Sequence, residues 1–534
     1  MAPVAGQRAA LMIDGESLTV ADVVAVAREG RPVDLLPHDS LERMTRSASW
    51  VQQVVREDRM RVYGVNTGFG HLVRQRIGFE DTRTLSYNVV VSSAAGVDKP
   101  FPEDVVRAAM LIRANSLAKG LSGIRPVVVN TLIQMLNAGV TPVVPSKGSV
   151  GASGDLAPLA HISMVLCEPP PGKPEDGGMA CYRGEILSGR EAMARAGIPR
   201  IVLEAKEGLA LTNGATMTAG IASLAVHDAW NLVRSAEVAL AMTLEALCGF
   251  TDAFDARPHR ARGYPGQQET AANVRKLIEG SGLVNALPDR IQDAYSVRCA
   301  PQVLGAVRDA LRFITSTVST EINAAADNPL IFMDLPRENK AISAGNFHGE
   351  PLAFAMDLLG IVTAEVASIS ERRVFRLTNP ALSDGLPCML VTTPGLNSGY
   401  MVPHCTAAAL VSDNKTLAHP DSVDSIPTSA DQEDHVSMCT NAARHATEIV
   451  RNSERVVAIE ILSATQALDL RPAGTRRSPA ADAVHRLVRQ RVPPMQEDRS
   501  FSAEMEHVAG LVHSGAILSE VAASSGQSAE SYFA

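Results

Sequence analysis

The chain has 534 residues, of which 46% are hydrophobic, 20% are charged and only 4% are aromatic. This composition is typical of a soluble globular protein with a large aliphatic core, and it excludes a disordered chain, which would be poorer in apolar residues. The formal net charge is −9 and the sequence contains no basic runs, which argues against nucleic acid or an anionic membrane as a partner.

The N-terminus and the cysteines predict a cytoplasmic protein. The first residues lack a basic segment followed by an unbroken apolar stretch, so we expect no signal peptide. No run approaches ~18 uncharged apolar residues, and even 353–369 is interrupted by Asp357 and Glu365. The seven cysteines are odd in number and form no C-x-x-C pair, which favours reduced thiols.

The first 200 residues predict short elements, since glycine and proline interrupt them at 63–70, 120–126, 142–154 and 169–178. The Pro/Gly-rich stretch 167–179 predicts a polar surface loop. A boundary near residue 205 follows, which gives an N-terminal portion at 1–205 and a helical body at 206–534.

Long stretches without proline predict long helices in the rest of the chain, at 200–257, 302–328, 352–379 and 428–471. They are rich in good helix formers. In the first stretch, apolar residues recur at the spacing of one helix face, namely Ile221, Leu224, Leu232, Val238 and Met242. Helices that are apolar over much of their circumference need partners. We therefore predict a mostly α fold, an elongated bundle of long helices that assembles as a homo-oligomer.

The densest local feature runs from Lys147 to Ser163 and contains glycines at 148, 151 and 154. A phosphate cradle would need Lys-Ser/Thr after the last glycine, where Asp155 stands. A nucleophile elbow would need one more residue between Ser153 and the glycine that follows. The simplest interpretation is a glycine-rich turn before a helix that Asp155 caps.

The tripeptide Ala152-Ser153-Gly154 offers another chemistry. In a tight turn, the amide nitrogen of Gly154 can attack the carbonyl carbon of Ala152, because no Cβ shields it. Loss of water closes a five-membered ring, and dehydration of Ser153 then leaves an exocyclic methylene. The product is a carbon electrophile, whereas natural side chains supply nucleophiles, acids and bases.

This tripeptide resembles the signature of the aromatic amino acid ammonia-lyase and aminomutase family, which builds 4-methylideneimidazol-5-one (MIO) from Ala-Ser-Gly. Further blocks match the family in its own order, at 63–70, 207–214, 292–302, 321–330, 345–351, 395–400 and 431–438. The resemblance implies a mostly α-helical homotetramer whose active sites each draw on three subunits. It also implies MIO as the cofactor, with neither a metal nor a nucleotide.

The resemblance assigns roles to two tyrosines and one arginine. Tyr63 would remove the β-proton of the substrate, and the alternative is a loop tyrosine anchored by its hydroxyl. Arg298 would clamp the substrate carboxylate, which a guanidinium can bind through two parallel hydrogen bonds. Tyr295 would share a helix face with Arg298 and assist beside the electrophile. The alternative for Arg298 is a structural ion pair, with Asp293 as the nearest acid in the sequence.

Further positions match polar and aromatic contacts of the family. Asn213 would hydrogen-bond a carbonyl oxygen near the electrophile or the substrate carboxylate, although Asn-Gly also favours a plain turn. Gln302 and Asn328 would make polar contacts with the substrate. Phe347 would pack near its ring, although a phenylalanine is more often a core residue.

Two segments bear on the choice of substrate. Gln432 and Glu433 stand in a block that resembles the histidine ammonia-lyase branch, in which the glutamate approaches the imidazole. Glu350 also favours a resemblance to the histidine branch. A charged helix N-terminus is the alternative for this acidic run. Ser92 and Ser93 occupy the pair that would face the substrate side chain, and Ser-Ser fits no branch. It leaves a wider, polar pocket.

The resemblance therefore implies deamination of an aromatic L-amino acid, either histidine to urocanate or another arylalanine to a cinnamate. The alternatives are a 2,3-aminomutase and an inactive helical scaffold. The histidines among the blocks (His161, His348, His404 and His435) form no metal-binding spacing, so hydrogen-bonding roles are expected for them and no metal is predicted.

Overall fold

The computed structural model describes residues 9–287, 291–336 and 340–533. These residues are mostly helical, as predicted. The α-helices are α1 (Val20–Ala27), α2 (His38–Glu57), α3 (Thr82–Ser93), α4 (Glu103–Ala118), α5 (Pro126–Ala138), α6 (Leu156–Leu166), α7 (Gly189–Ala196), α8 (Glu207–Thr212), α9 (Thr216–Ala246), α10 (Ala256–Arg262), α11 (Pro265–Leu277), α12 (Tyr295–Arg298), α13 (Ala300–Glu321), α14 (Glu350–Thr378), α15 (Met401–Leu417), α16 (Cys439–Asp469), α17 (Pro479–Arg489), α18 (Ser502–His513), α19 (Ala516–Ala523) and α20 (Ala529–Tyr532).

Short strands lie between the helices, mostly in the first 200 residues. They are β1 (Val97–Pro100), β2 (Val140–Pro142), β3 (Pro145–Lys147), β4 (Cys167–Glu168), β5 (Met179–Tyr182), β6 (Glu185–Ser188), β7 (Ile201–Val202), β8 (Leu330–Ile331) and β9 (Ala341–Ile342). β2, β5 and β6 form a three-stranded antiparallel sheet, and the others pair as β1 with β3, β4 with β7 and β8 with β9. The N-terminal portion is therefore built from shorter elements, as its glycines and prolines predict.

The stretches without proline form the long helices. α9 and α16 have 31 residues each, α14 has 29 and α13 has 22. All five residues of the apolar face predicted in the first stretch are buried. In α9 only His227, Trp230, Asn231 and Arg234 are not buried. A helix of this kind is a core element with neighbours around its circumference.

Among the residues that the structure describes, one helix is long and apolar enough to cross a membrane by length and composition. α14 contains an 18-residue window with a mean hydropathy of 1.8, and 56% of that window is buried. The buried core helix of a soluble protein meets the same criterion.

The chain divides into two compact units. The first unit comprises Met1–His227, Thr315–Asp357 and Pro420–Arg444, and the second comprises Asp228–Ile314, Leu358–His419 and His445–Ala534. Each unit takes up several separated segments of the chain. The division at residue 205 stays a prediction.

Candidate active site

The glycine-rich segment before α6 forms a turn held against the loop before α9. Gly154 and Gly214 face each other across a parallel bridge, in which Asp155 N donates to Gly214 O at 2.9 Å and Gly214 N donates to Ser153 O at 3.1 Å. Gly154 has φ +71°, and a Cβ built on it would lie 2.1 Å from Gly214 C. Only glycine meets both requirements at this position.

The side chain of Asp155 fixes this turn to the neighbouring helices through hydrogen bonds. Its fully buried carboxylate accepts hydrogen bonds from Thr218 N at 2.7 Å, Thr440 Oγ1 at 2.7 Å, Ser149 Oγ at 2.9 Å and Thr218 Oγ1 at 3.1 Å. Burial raises the pKa of Asp155 although these donors lower it. The side chain makes no capping hydrogen bond to α6. The helix-cap interpretation is therefore wrong, because the carboxylate is drawn to donors from α9 and α16.

The backbone nitrogen of Gly154 and the side chain of Asn213 have unused hydrogen-bonding capacity at the tripeptide. No described residue accepts a hydrogen bond from Gly154 N, so the nitrogen that would attack is uncommitted. Asn213 Nδ2 donates to Ser153 O at 3.4 Å. Asn213 Oδ1 is buried and has no hydrogen-bond partner among the described residues. An orphaned buried acceptor is rare in a folded protein, and here it lies beside the tripeptide.

Tyr63 lies in a loop fixed by a buried cluster. Val62 and Val65 pack with residues of α2, including Trp50, and the buried Asn66 side chain accepts from Val62 N at 2.9 Å. The Tyr63 hydroxyl oxygen accepts a hydrogen bond from Gly70 N at 3.2 Å. Its ring is half-buried. The loop is therefore anchored by its apolar and amide side chains, which leaves the phenol at the surface of the site.

Glu433 reaches the tripeptide directly. Its Oε1 accepts a hydrogen bond from Ser153 Oγ at 2.7 Å, and its Oε2 accepts one from Thr428 Oγ1 at 2.6 Å. Thr428 and Glu433 form an antiparallel bridge around a tight loop, in which Ser429, Ala430 and Asp431 all have positive φ. The next helix, α16, begins only at Cys439. The charged helix N-terminus considered for this run is therefore wrong.

Asn328 and Phe347 belong to two neighbouring loops. Asn328 Oδ1 accepts a hydrogen bond from Ala344 N at 2.7 Å, which ties the loops together. Asp327 carries a buried ion pair with Lys206, in which Nζ and Oδ2 are 2.6 Å apart. Phe347 is half-buried and is not a core residue.

A cavity of about 430 Å³ in the first unit brings these residues together. Of the positions predicted from the sequence, it is lined by Tyr63, Ala152, Ser153, Asn213, Asn328, Phe347, Gln432 and Glu433. Its volume fits a small organic ligand. Segments up to 370 residues apart in the chain therefore converge on one pocket that contains the tripeptide.

The other predicted residues lie elsewhere. Arg298 and Gln302 line a separate cavity of about 310 Å³ within the second unit. The Arg298 guanidinium stacks 4.7 Å from the centroid of the Tyr295 ring, and Tyr295 is 71% exposed. These two residues share a face of α12, as predicted. Ser92 and Ser93 end α3 and do not line the first cavity.

The comparison with protein families decides the identity of the fold. The family described as aromatic amino acid lyase matches residues 18–490. This chain belongs to that family. The lyase is 50% identical to a histidine ammonia-lyase of Caldanaerobacter subterraneus subsp. tengcongensis, over 95% of this chain and 97% of that protein. It is 49% identical to one of Gloeobacter violaceus, over 97% and 98% of the two chains.

Solved structures agree with this assignment. The tyrosine aminomutase of Streptomyces globisporus superposes on the lyase with a TM-score of 0.89 at 37% identity, over 96% of this chain and 98% of that chain. The histidine ammonia-lyase of Trypanosoma cruzi gives a TM-score of 0.88 at 39% identity, over 98% and 96%. The protein is therefore a carbon–nitrogen lyase that deaminates an aromatic amino acid, in a family that depends on MIO in general.

The structure adds residues that the sequence did not single out. Thr428 Oγ1 donates to Glu433 Oε2 and so orients the carboxylate. Gly70, Val73, Ser343 and Asp434 join the lining of the cavity. Asp155, which the sequence predicts as a helix cap, instead accepts hydrogen bonds from Ser149 Oγ and Thr218 N. Thr428 carried no signal, because its contact depends on the loop conformation at 429–431.

The four histidines differ in their surroundings. The His161 ring accepts from Gly96 N at 3.2 Å, and His404 Nε2 lies 2.7 Å from Glu371 Oε1. Both therefore have hydrogen-bonding roles of the predicted kind. His348 and His435 instead stack on each other, with ring centroids 5.7 Å apart, and both line the cavity.

Proposed function

We propose that this lyase converts L-histidine to urocanate and ammonia. The observation that carries the proposal is the Glu433 carboxylate, which lies 2.7 Å from Ser153 Oγ inside the cavity. A carboxylate at this point favours an imidazole over a phenyl ring, because it can accept a hydrogen bond from a ring N–H. The histidine ammonia-lyases that resemble the chain over nearly its full length support the same choice.

We propose that Ala152, Ser153 and Gly154 form the MIO group in this chain. The uncommitted Gly154 nitrogen, the close approach of Gly214 and the orphaned Asn213 Oδ1 support this assignment. MIO would supply a carbon electrophile that makes the substrate amine a good leaving group. Asn213 and Gly214 hold the tripeptide through hydrogen bonds to Ser153 O, so that the chain presents the group in a fixed orientation.

Tyr63 is the proposed base for the β-proton. Its hydroxyl oxygen accepts a hydrogen bond from Gly70 N, and the side chain lines the cavity beside Ser153. Val62, Val65 and Asn66 also anchor the loop, independently of the phenol. The phenol can therefore exchange a proton while the loop stays in place, which weakens the alternative of a purely structural tyrosine.

Arg298 is the proposed partner of the substrate carboxylate, with Tyr295 and Gln302 beside it. Among the described residues no carboxylate lies within ion-pair distance of the Arg298 guanidinium, which lies over the Tyr295 ring instead. Its Nε and the Oε1 of Gln302 are buried without a hydrogen-bond partner. These unused polar groups support a ligand-binding role over a structural ion pair.

We further propose a cytoplasmic homotetramer in which three subunits complete each site. α14 exposes Phe354 by 55%, Ile361 by 45% and Phe375 by 36%, at spacings of seven and fourteen residues that place them on one helix face. An exposed apolar stripe of this kind is typical of a subunit interface. Sedimentation equilibrium of the full chain tests the tetramer, and a monomer at micromolar concentration would contradict it.

The substrate is tested by a panel of L-histidine, L-phenylalanine, L-tyrosine and ring-alkoxylated arylalanines. Exclusive release of urocanate supports the proposal. It would also mean that Ser92 and Ser93 do not change which aromatic ring the enzyme accepts. Preferred turnover of another arylalanine would refute the histidine assignment and would favour the wider pocket expected from Ser93. A β-amino acid detected by chromatography would instead identify an aminomutase.

The electrophile is tested with Ser153→Ala. We expect the variant to lose both turnover and the near-ultraviolet absorbance of MIO. Ser519→Ala is the matched control, because its hydroxyl donates to Gly515 O on an exposed part of α19, and it should keep both. Unchanged absorbance and turnover in Ser153→Ala would rule out the tripeptide as their source, and a wild type without turnover on any substrate would favour the inactive scaffold.

A further inference from the structure

Three side chains with metal-binding atoms converge beside the cavity. His348 comes from the loop before α14, Glu350 is the first residue of α14, and His435 comes from the loop before α16. Their potential ligand atoms all lie within 4.8 Å of one another. Two imidazoles and one carboxylate are a ligand set that zinc and related divalent metals bind in proteins.

The ligand atoms are available. Glu350 Oε2 is buried and has no hydrogen-bond partner among the described residues. His348 Nδ1 accepts only a long hydrogen bond of 3.4 Å from Glu350 N, which is at the weak end of the usual range. No described residue hydrogen-bonds to the ring of His435. A buried carboxylate oxygen without a donor is costly, and a cation would satisfy it.

The two segments are held in place before any ion binds. Gly349 lies between His348 and Glu350 and packs so closely that a Cβ would meet Cys439 Sγ at 2.3 Å. On the other segment, Val436 N donates to Ser425 Oγ at 3.1 Å and Met438 N donates to Val150 O at 2.9 Å. The backbones that carry the three ligands are therefore fixed, and only side-chain rotation is needed to close the set.

We propose that His348, Glu350 and His435 bind a divalent transition-metal ion of the zinc class. Metal–ligand distances of about 2.0–2.2 Å place the ligand atoms of a tetrahedral site roughly 3.4 Å apart. Since the ligand atoms already lie within 4.8 Å of one another, shifts of about 1–2 Å in the side-chain ends would bring them to these separations. Because His348 and His435 also line the cavity, an ion bound by the three side chains would lie beside it.

This site escapes a sequence search for metal motifs. The ligands stand at 348, 350 and 435, so neither a His-x-x-x-His helix nor a Cys/His pair marks them. The prediction of no metal rested on those spacings. The proposal rests on the folded positions instead and does not depend on which amino acid the lyase deaminates.

The test is a titration of chelator-stripped, full-length protein with Zn²⁺, measured by competition with a chromophoric chelator. We expect one site per chain whose affinity falls at least tenfold in His435→Ala and in Glu350→Gln. Glu350→Gln keeps the shape of the side chain, and His435 is exposed, so both variants should fold. His419→Ala is the control, because His419 is exposed and lies outside the cluster.

Titration with Co²⁺ identifies the ligands. A nitrogen–oxygen site gives visible d–d bands without a thiolate charge-transfer band, whereas binding to the seven free cysteines would give that band. The proposal is wrong if affinity is unchanged in both cluster variants, or if the Co²⁺ spectrum shows thiolate ligation. Binding that only appears at millimolar metal, equally in the wild type and all variants, would also refute it.

Discussion

Gly154→Ala tests whether the backbone of the tripeptide has room for only a glycine. The added Cβ would lie 2.1 Å from Gly214 C, 2.4 Å from Gly214 O and 2.5 Å from Gly214 Cα. All three are backbone atoms, so no rotamer change can relieve the contact. The two hydrogen bonds of the bridge, from Asp155 N to Gly214 O and from Gly214 N to Ser153 O, must therefore break or lengthen.

The magnitude follows from two contributions. Alanine at a positive φ costs about 1–2 kcal/mol relative to glycine. Loss of two buried backbone hydrogen bonds adds about 1–3 kcal/mol each. Gly139 provides a matched control, because it has a similar φ of +74° but nothing within 4 Å of an added Cβ. We expect Gly139→Ala to show only the first contribution, so the difference between the variants should be about 2–6 kcal/mol.

Two measurements on the same samples decide the outcome. Urea unfolding followed by circular dichroism gives the loss of unfolding free energy in each variant, and near-ultraviolet absorbance reports the MIO group. We expect Gly154→Ala to be much less stable than Gly139→Ala and to lack the absorbance. Equal stability of the two variants would refute the steric argument, and a Gly154→Ala variant with full absorbance would refute the need for glycine in cyclisation.

Three further changes have defined outcomes. Thr428→Val removes the donor to Glu433 Oε2 and should lower kcat/KM for L-histidine by about tenfold or more, whereas Thr428→Ser should retain it. Burial, together with Asp155, raises the pKa of Glu321 to about 7. The folded state therefore favours the neutral form of Glu321, and the free energy of unfolding should fall as the pH rises from about 4.5 to 7. Glu321→Gln should remove about 1–3 kcal/mol of this pH-dependent loss. Urea unfolding of both proteins at the two pH values measures the difference. Lys206→Met leaves the buried Asp327 without its partner and should cost about 3–5 kcal/mol in unfolding free energy, whereas a loss below 1 kcal/mol would contradict the importance of the pair.

The long helices were predictable because their signals are local. Good helix formers and the lack of proline extend over whole stretches, and α13 and α14 nearly fill theirs. The last stretch, 428–471, shows the limit of this reasoning. Its helix begins only at Cys439, because the preceding residues form a loop with three positive φ values in succession. Hydrogen bonds between Thr428 and Glu433 stabilise this loop, and the amino-acid composition of the stretch does not reveal them.

The location of the site was predictable where its residues are adjacent in the sequence, as in the tripeptide at 152–154, of which Ala152 and Ser153 line the cavity. Contacts between segments that are distant in the sequence could not be predicted. Ser153 and Glu433 are 280 positions apart, and Ser153 Oγ donates to a carboxylate whose orientation is set by Thr428. The same holds for His348 and His435, whose sequence positions suggest separate hydrogen-bonding roles although the rings stack in the folded chain.

The hydrogen bonds of Asp155 explain how a turn rich in positive φ values is kept in one conformation. Gly148, Gly151 and Gly154 all lie in that region, so the turn has little conformational preference of its own. Asp155 accepts from Ser149 within the turn, from Thr218 at the start of α9 and from Thr440 at the start of α16. Each donor fixes the carboxylate to a different segment, so the turn can only open if a buried acid loses partners on two long helices. The two helices thus hold the tripeptide in one tight turn, which is the arrangement that the proposed cyclisation needs.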